Sequence, residues 1–171
     1  MTTRPAWTTV GTSLGPVTLV AGPAGLRSVR WDGPGATAGL DDRDRDPAAL
    51  ARAAGQLTEY LDGARRAFDL PLDLRGTALE LRVWEALRAI PHGATVTYAQ
   101  LARDVGRPAA VRAVAGAVAR TPVPVVVPCH RVIGADGGLR GYVGGLARKA
   151  ALLRLEGADV PAARAPQPAA G

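Results

Sequence analysis

The chain has 171 residues, with 21 Lys+Arg against 15 Asp+Glu, and a formal net charge of +6 that suits an anionic partner. No apolar run approaches the roughly 18 residues of a membrane span, and Met1 to Trp7 lacks a signal-peptide core, so a soluble cytoplasmic protein with no membrane partner is expected. The single cysteine, Cys129, excludes an internal disulfide, and with only His92 and His130 as further soft ligands no metal site is expected.

In chain order, Trp7–Val10, Val17–Val20 and Leu26–Trp31 read as short strands separated by Gly-containing turns, a β-meander. Residues 33–46 are polar, charged and Gly-rich and read as an exposed loop. Asp46-Pro47 has the form of a helix start, and Leu50, Ala53, Leu57, Tyr60 and Leu61 recur at helical spacing as far as Gly63. Phe68–Leu72 adds a candidate strand. Residues 1–76 therefore read as a small α+β domain built from a strand meander and a helix.

A second domain, 77–157, opens with Thr77-x-x-Glu80, a capping box ahead of Leu81, Val83, Trp84 and Leu87. Pro91-His92-Gly93 stops that helix. Thr97-x-x-Gln100 repeats the box and opens a helix from Tyr98 to Val105; Gly106 then makes a turn, and Pro108 heads a helix to about Arg120. Helix, short Gly turn, helix is helix-turn-helix spacing. In the later helix, Val111, Val114 and Val118 form the buried stripe, which leaves Ala109, Ala113, Gly116 and Arg120 outward with Arg112 at the flank. A face so poor in Asn, Gln and Arg does not read base edges in a major groove. Two readings stand for it: DNA binding with little sequence preference, or packing against the first domain.

The cationic excess sits in the same region. Residues 1–76 carry nine basic and nine acidic side chains, whereas between 96 and 154 nine cations face only Asp104 and Asp136. Val125-Val126-Val127 reads as a buried strand that delivers Pro128-Cys129-His130-Arg131-Val132 at its end. The adjacent His and Arg predict a thiol of lowered pKa. A redox role lacks a resolving cysteine, and a cysteine hydrolase needs a base and an oxyanion hole to release its thioester. Direct alkyl transfer needs neither a second thiol nor a cofactor, and its thioether product ends turnover after one event.

The run Thr121-Pro122-Val123-Pro124-Val125-Val126-Val127-Pro128-Cys129-His130-Arg131-Val132-Ile133 resembles the active-site signature of the O6-alkylguanine-DNA alkyltransferases. The resemblance extends through Tyr98–Ala102, Ala110–Val114, Gly141–Gly145 and Leu153–Gly157, the whole second domain in order. It implies a winged-helix-like DNA-binding domain that takes an alkyl group from O6 of guanine, or from O4 of thymine, in double-stranded DNA. In that family Cys129 would be the acceptor, His130 would take its proton through a water, Glu156 would orient His130, and Tyr98 would protonate the departing guanine. Arg112 would fill the space of the flipped nucleotide, Ala113, Gly116 and Arg120 would lie on the DNA side, and the backbone around Val132 and the Tyr142–Val143 segment would line the guanine pocket. No cofactor is implied, and the protein is expected as a monomer.

This chain departs from the family pattern at Thr121, where many members have Asn, and at Val143, where some have Ser. The competing readings are a lesion-binding relative that transfers nothing and a winged-helix regulator in which Cys129 is structural. The Ala- and Pro-rich segment 158–171 is expected to be a disordered tail.

Overall fold

β-Branched and aromatic residues build the first layer, in a computed structural model that describes residues 5–159. Strands β1 (Trp7–Val10), β2 (Val17–Gly22) and β3 (Gly25–Trp31) form an antiparallel meander in that order, close to the sequence-based spans. The register sets Trp7 against Val20 and Trp31 against Val17, with one bulge between Val20 and Ala21. Val17, Leu19, Leu26, Val29 and Trp31 are buried in one core with Leu57, Tyr60 and Leu61, the expected stripe of helix α1 (Ala51–Leu61). The regular helix starts later than Asp46-Pro47 suggests. Asp46 instead caps a preceding turn, accepting from the Ala49 N–H at 3.0 Å. Phe68–Leu72 is not a strand: only Leu72 pairs, with Leu26, and Pro71 has no N–H with which to extend a ladder. The exposed loop 33–46 is a series of turns with one short 3-10 segment at Asp42–Asp44, and the Trp7 Nε1 donates to the Asp41 carbonyl at 2.7 Å.

Helix α2 (Ala78–Arg88) carries both bonds of the Thr77–Glu80 capping box and buries Val83, Trp84 and Leu87. Leu81, expected in that stripe, lies roughly 110° around the helix from it and is 41% exposed. Strand β4 (Val96–Thr97) leads into helix α3 (Tyr98–Asp104), whose Thr97–Gln100 box is also complete. Gly106, at φ 71, makes the turn toward helix α4 (Val111–Ala119). That helix starts at Val111 rather than Pro108, because Ala110 bonds back to Arg107 in a turn of its own. The Trp84 indole donates to the Ala117 carbonyl at 2.9 Å and clamps α2 to α4. Ala109, Ala113 and Arg120 are exposed and Gly116 is half-buried, so the outer face of α4 is open rather than packed on the N-terminal domain.

A three-residue 3-10 turn, Cys129–Arg131, runs into strand β5 (Val132–Ile133), and helix α5 (Leu146–Leu155) closes the fold. Strand β5 pairs in parallel with β4, Val96 opposite Val132 and Thr97 opposite Ile133. The Val125–Val127 run is a turn and not the expected strand. Val127 bonds back to the Val123 carbonyl at 2.9 Å, and Val125 adopts φ 73. A β-branched residue there costs about 1–3 kcal/mol, offset by the burial of Val123, Val125 and Val127 themselves. Of the expected tail, residues 160–171 lie outside the described residues.

Candidate active site

Parallel pairing of β4 with β5 sets the start of α3 beside the cysteine turn. The result is an open cavity of about 900 Å³ whose lining includes Tyr98, Arg112, Cys129, Arg140, Tyr142 and Val143. Cys129 is 3% exposed. Five residues singled out from the sequence thus converge here: Cys129, Tyr98, Arg112, Tyr142 and Val143. Val132 is not among the lining residues: its side chain is wholly buried, and on its backbone the carbonyl accepts from Lys149 Nζ at 2.6 Å. Ala113, Gly116 and Arg120 do not line the cavity either, and Arg120 is held by Glu80 at 2.5 Å.

Behind the thiol lies a fully polar cluster. His130 is wholly buried, with Nε2 2.6 Å from Glu156 Oε1. Arg131 donates to both carboxylate oxygens, at 2.9 and 3.0 Å, and to the Ile90 carbonyl at 2.5 Å. The Tyr60 hydroxyl donates to the same Glu156 oxygen as His130. Burial pushes the Glu156 carboxyl up, but the hydrogen bonds from His130 and Arg131 overcome it and hold the group well below the usual carboxylate range. An anionic Glu156 requires the His130 proton on Nε2. The lone pair is then on Nδ1, which has no partner among the described residues. Burial lowers the His130 pKa against the pull of Glu156, so the ring is neutral at pH 7 and able to accept a proton.

The thiol is not activated in the way its neighbours in sequence suggest. Burial pushes Cys129 up to about 11, against the opposing influence of the Thr121 hydroxyl and the Lys149 charge. The Arg131 charge that seemed available to the sulfur is spent on Glu156. Lys149 is the cation that remains, wholly buried and lowered to about 8 by burial, its ammonium donating to the carbonyls of Val132 and Arg140. Sequence reasoning counted Lys149 but gave it no role. The available signal was that it is the one lysine among 21 basic residues, at a point where a compact ammonium fits between two carbonyls and a planar guanidinium does not. With a pKa near 11 the thiolate at pH 7 is on the order of one molecule in ten thousand. Labelling of the DNA-free protein by a small haloacetamide should therefore be slow at pH 7 and rise about tenfold per unit toward pH 9; a plateau below pH 8 would contradict this burial argument.

The N-terminal domain holds the cavity's loop. Arg148 lies 4.7 Å over the Trp31 ring, donates to the Leu14 carbonyl at 2.8 Å and to the Gly144 carbonyl at 3.3 Å, and pairs with Asp32. A Cβ on Gly144 would sit 2.5 Å from Trp31 Nε1, so only glycine lets the loop approach this closely. Thr121 donates to the Val118 carbonyl at 2.7 Å, closing the end of α4.

Fold and site together define a class, a helix-turn-helix protein with a sheltered cysteine nucleophile and a neutral imidazole behind it. The model of the 6-O-methylguanine DNA methyltransferase ribonuclease-like domain matches residues 6–74, and that of the DNA binding domain of the same proteins matches residues 78–158. The Methylated-DNA--protein-cysteine methyltransferase of Mycobacterium tuberculosis is 43% identical over 154 residues, 90% of this chain and 93% of that one. The inducible enzyme of that name from Bacillus subtilis is 46% identical over 123 residues, 72% of this chain and 66% of its own. The crystal structure of Mycobacterium tuberculosis OGT in complex with DNA superposes with a TM-score of 0.81 at 43% identity, covering 92% of this chain and 96% of that one. The chain belongs to the 6-O-methylguanine DNA methyltransferase family.

Proposed function

We propose that this protein repairs DNA by moving an alkyl group from O6 of guanine to Cys129, once per molecule. The observation that carries it is the placement of the only cysteine in a cavity between the helix-turn-helix and an imidazole–carboxylate pair. The damaged nucleotide leaves the duplex and enters the cavity, at a cost of a few kcal/mol in lost stacking and pairing. Cys129 Sγ attacks the alkyl carbon as the thiol proton passes to His130 Nδ1, directly or through water. The S–C bond forms, the C–O6 bond breaks with its electron pair going to the base, and Tyr98 donates a proton to the departing guanine. Burial raises the Tyr98 pKa above the ordinary value, so the phenol is protonated at pH 7 and has a hydrogen to donate. Glu156 stabilises the imidazolium that results.

Since the thiol's pKa lies far above neutrality, its deprotonation belongs to the transfer step and not to the resting protein. That separates this protein from nucleophiles poised as thiolates. The lesion-binding alternative has no observation in its favour, because the acceptor sulfur is present. Within the reading, one chain supplies every group, which fits a monomer, and a single reduced cysteine fits the cytoplasm. Incubation with DNA carrying methyl-labelled O6-methylguanine should place one label per protein, on Cys129. Stable lesion binding without transfer would overturn the assignment.

DNA contact falls on the helix-turn-helix, where Arg103, Arg107 and Arg112 are exposed without a carboxylate partner among the described residues. Arg112 also lines the cavity, in position to occupy space left by a flipped nucleotide. Arg112→Ala should weaken binding to lesion DNA about tenfold, roughly 1.4 kcal/mol. Arg43→Ala, which removes an exposed cation already paired with Asp41, should change it little. Equal losses, read by fluorescence anisotropy at fixed salt, would remove α4 from the interface.

A further inference from the structure

Helix α1 belongs to the domain far in sequence from the cysteine, yet it delivers a hydroxyl to the catalytic cluster. Tyr60 is 1% exposed, stacks on Phe68 with ring centroids 4.8 Å apart, and donates to Glu156 Oε1. That oxygen is the one bonded to His130 Nε2 at 2.6 Å. Arg131 Nη2 in turn donates to the Tyr60 oxygen at 3.3 Å, so the phenol closes a ring of bonds through Arg131 and Glu156. A buried hydroxyl needs partners wherever it sits, and this one finds both of its partners inside the cluster that holds His130.

We infer that Tyr60 is a positioning residue of the transfer reaction, which shares Glu156 Oε1 with His130 and so sets how readily His130 accepts the thiol proton. The inference rests on the proposed function for its consequence but not for its geometry. With two side-chain donors besides Arg131, Oε1 distributes its charge, and His130 is left a base that is neutral when the thiol must be deprotonated. Without the phenol, Oε1 concentrates on His130, and the ring holds its proton to a higher pH. The other groups that bear on the ring are Arg131 and Lys149, whose charges disfavour the imidazolium, Tyr142, whose ring meets it edge-on at 6.5 Å, and Cys129 beside it. His92 approaches Tyr60 edge-on at 6.0 Å, and Arg154 lies with it along a cavity of about 360 Å³ on the far side of Glu156.

The test is Tyr60→Phe, which keeps the ring and removes the hydroxyl, with Phe68→Leu as a control that loosens the same packing and leaves the hydroxyl. Single-turnover transfer from O6-methylguanine DNA is followed against pH, and the two imidazoles, His92 and His130, are titrated by NMR in the full chain. Tyr60→Phe should move the acid limb of the rate profile, and the His130 midpoint, up by about one unit, with one label still reaching Cys129 at higher pH. Phe68→Leu should lower Tm with both unmoved. Superimposable profiles and midpoints for Tyr60→Phe and wild type, or an equal shift in Phe68→Leu, overturn the inference. If the wild type transfers no label, the proposed function fails, and the His130 midpoint alone still decides whether Tyr60 governs the ring.

Discussion

Cys129→Ala should abolish label transfer entirely while leaving affinity for O6-methylguanine DNA within about twofold of wild type. The chain has no second thiol, so no other side chain can form a stable thioether. Binding is expected to survive because the proposed phosphate contacts, Arg103, Arg107 and Arg112, are untouched and the cavity keeps its remaining walls. Deleting one buried, methyl-sized atom costs about 0.5–1.5 kcal/mol, too little to unfold a domain of this size. Labelled Ala variant, detected by gel or by mass, would show that the acceptor is elsewhere. Binding that fell along with transfer would instead mean that the sulfur supports the pocket's shape.

Glu156→Gln should be the more damaging change to the fold. The carboxylate accepts from His130, Arg131 and Tyr60, and all four side chains are buried. Glutamine has nearly the same shape but no charge, so the Arg131 guanidinium is left uncompensated, a situation that costs on the order of 3–5 kcal/mol. Thermal or denaturant unfolding reads this directly, and a loss under 1 kcal/mol would argue that Arg131 finds another partner. Transfer should also slow by about two orders of magnitude, because the imidazolium formed at His130 then lacks its countercharge. The pH dependence has a definite sign. The folded pKa of Glu156 is depressed, so its stabilisation is complete above the unfolded value near 4.5 and is lost as pH falls from there toward the folded value. Acid unfolding of the wild type should therefore steepen below about pH 4.5, and the Gln variant should lack that component.

The sequence determined the meander, the stripe of α1, both capping boxes and the helix-turn-helix, because each depends on residues within a few positions of one another. It also determined the identity of the acceptor, since a chain with one cysteine offers no choice, and the order of motifs around that cysteine carried the family resemblance through to Glu156. Where local pattern misled, a longer-range contact had won. Val125–Val127 has strand composition but turns, because Pro124 and Pro128 flank it and the cysteine segment pairs through Val132 with β4 instead. Phe68–Leu72 does not become a strand, because its proline interrupts the pairing and leaves only the Leu72–Leu26 bridge.

Only the tertiary structure decided the electrostatics. From sequence, Arg131 stands next to the cysteine's histidine and promises an acidic thiol; in the fold it turns inward to Glu156, 25 residues on, and the buried sulfur is left with a raised pKa. Tyr60 and Glu156 are 96 residues apart and meet only because α1 and the end of α5 pack together. Charge on a sequence is a sum, whereas its effect on a proton depends on burial, distance and prior partners. Those three quantities are fixed when the chain closes on itself, so the sequence could single out Cys129 and only the fold could show that the Arg131 charge goes to Glu156 and leaves the sulfur a buried, neutral thiol.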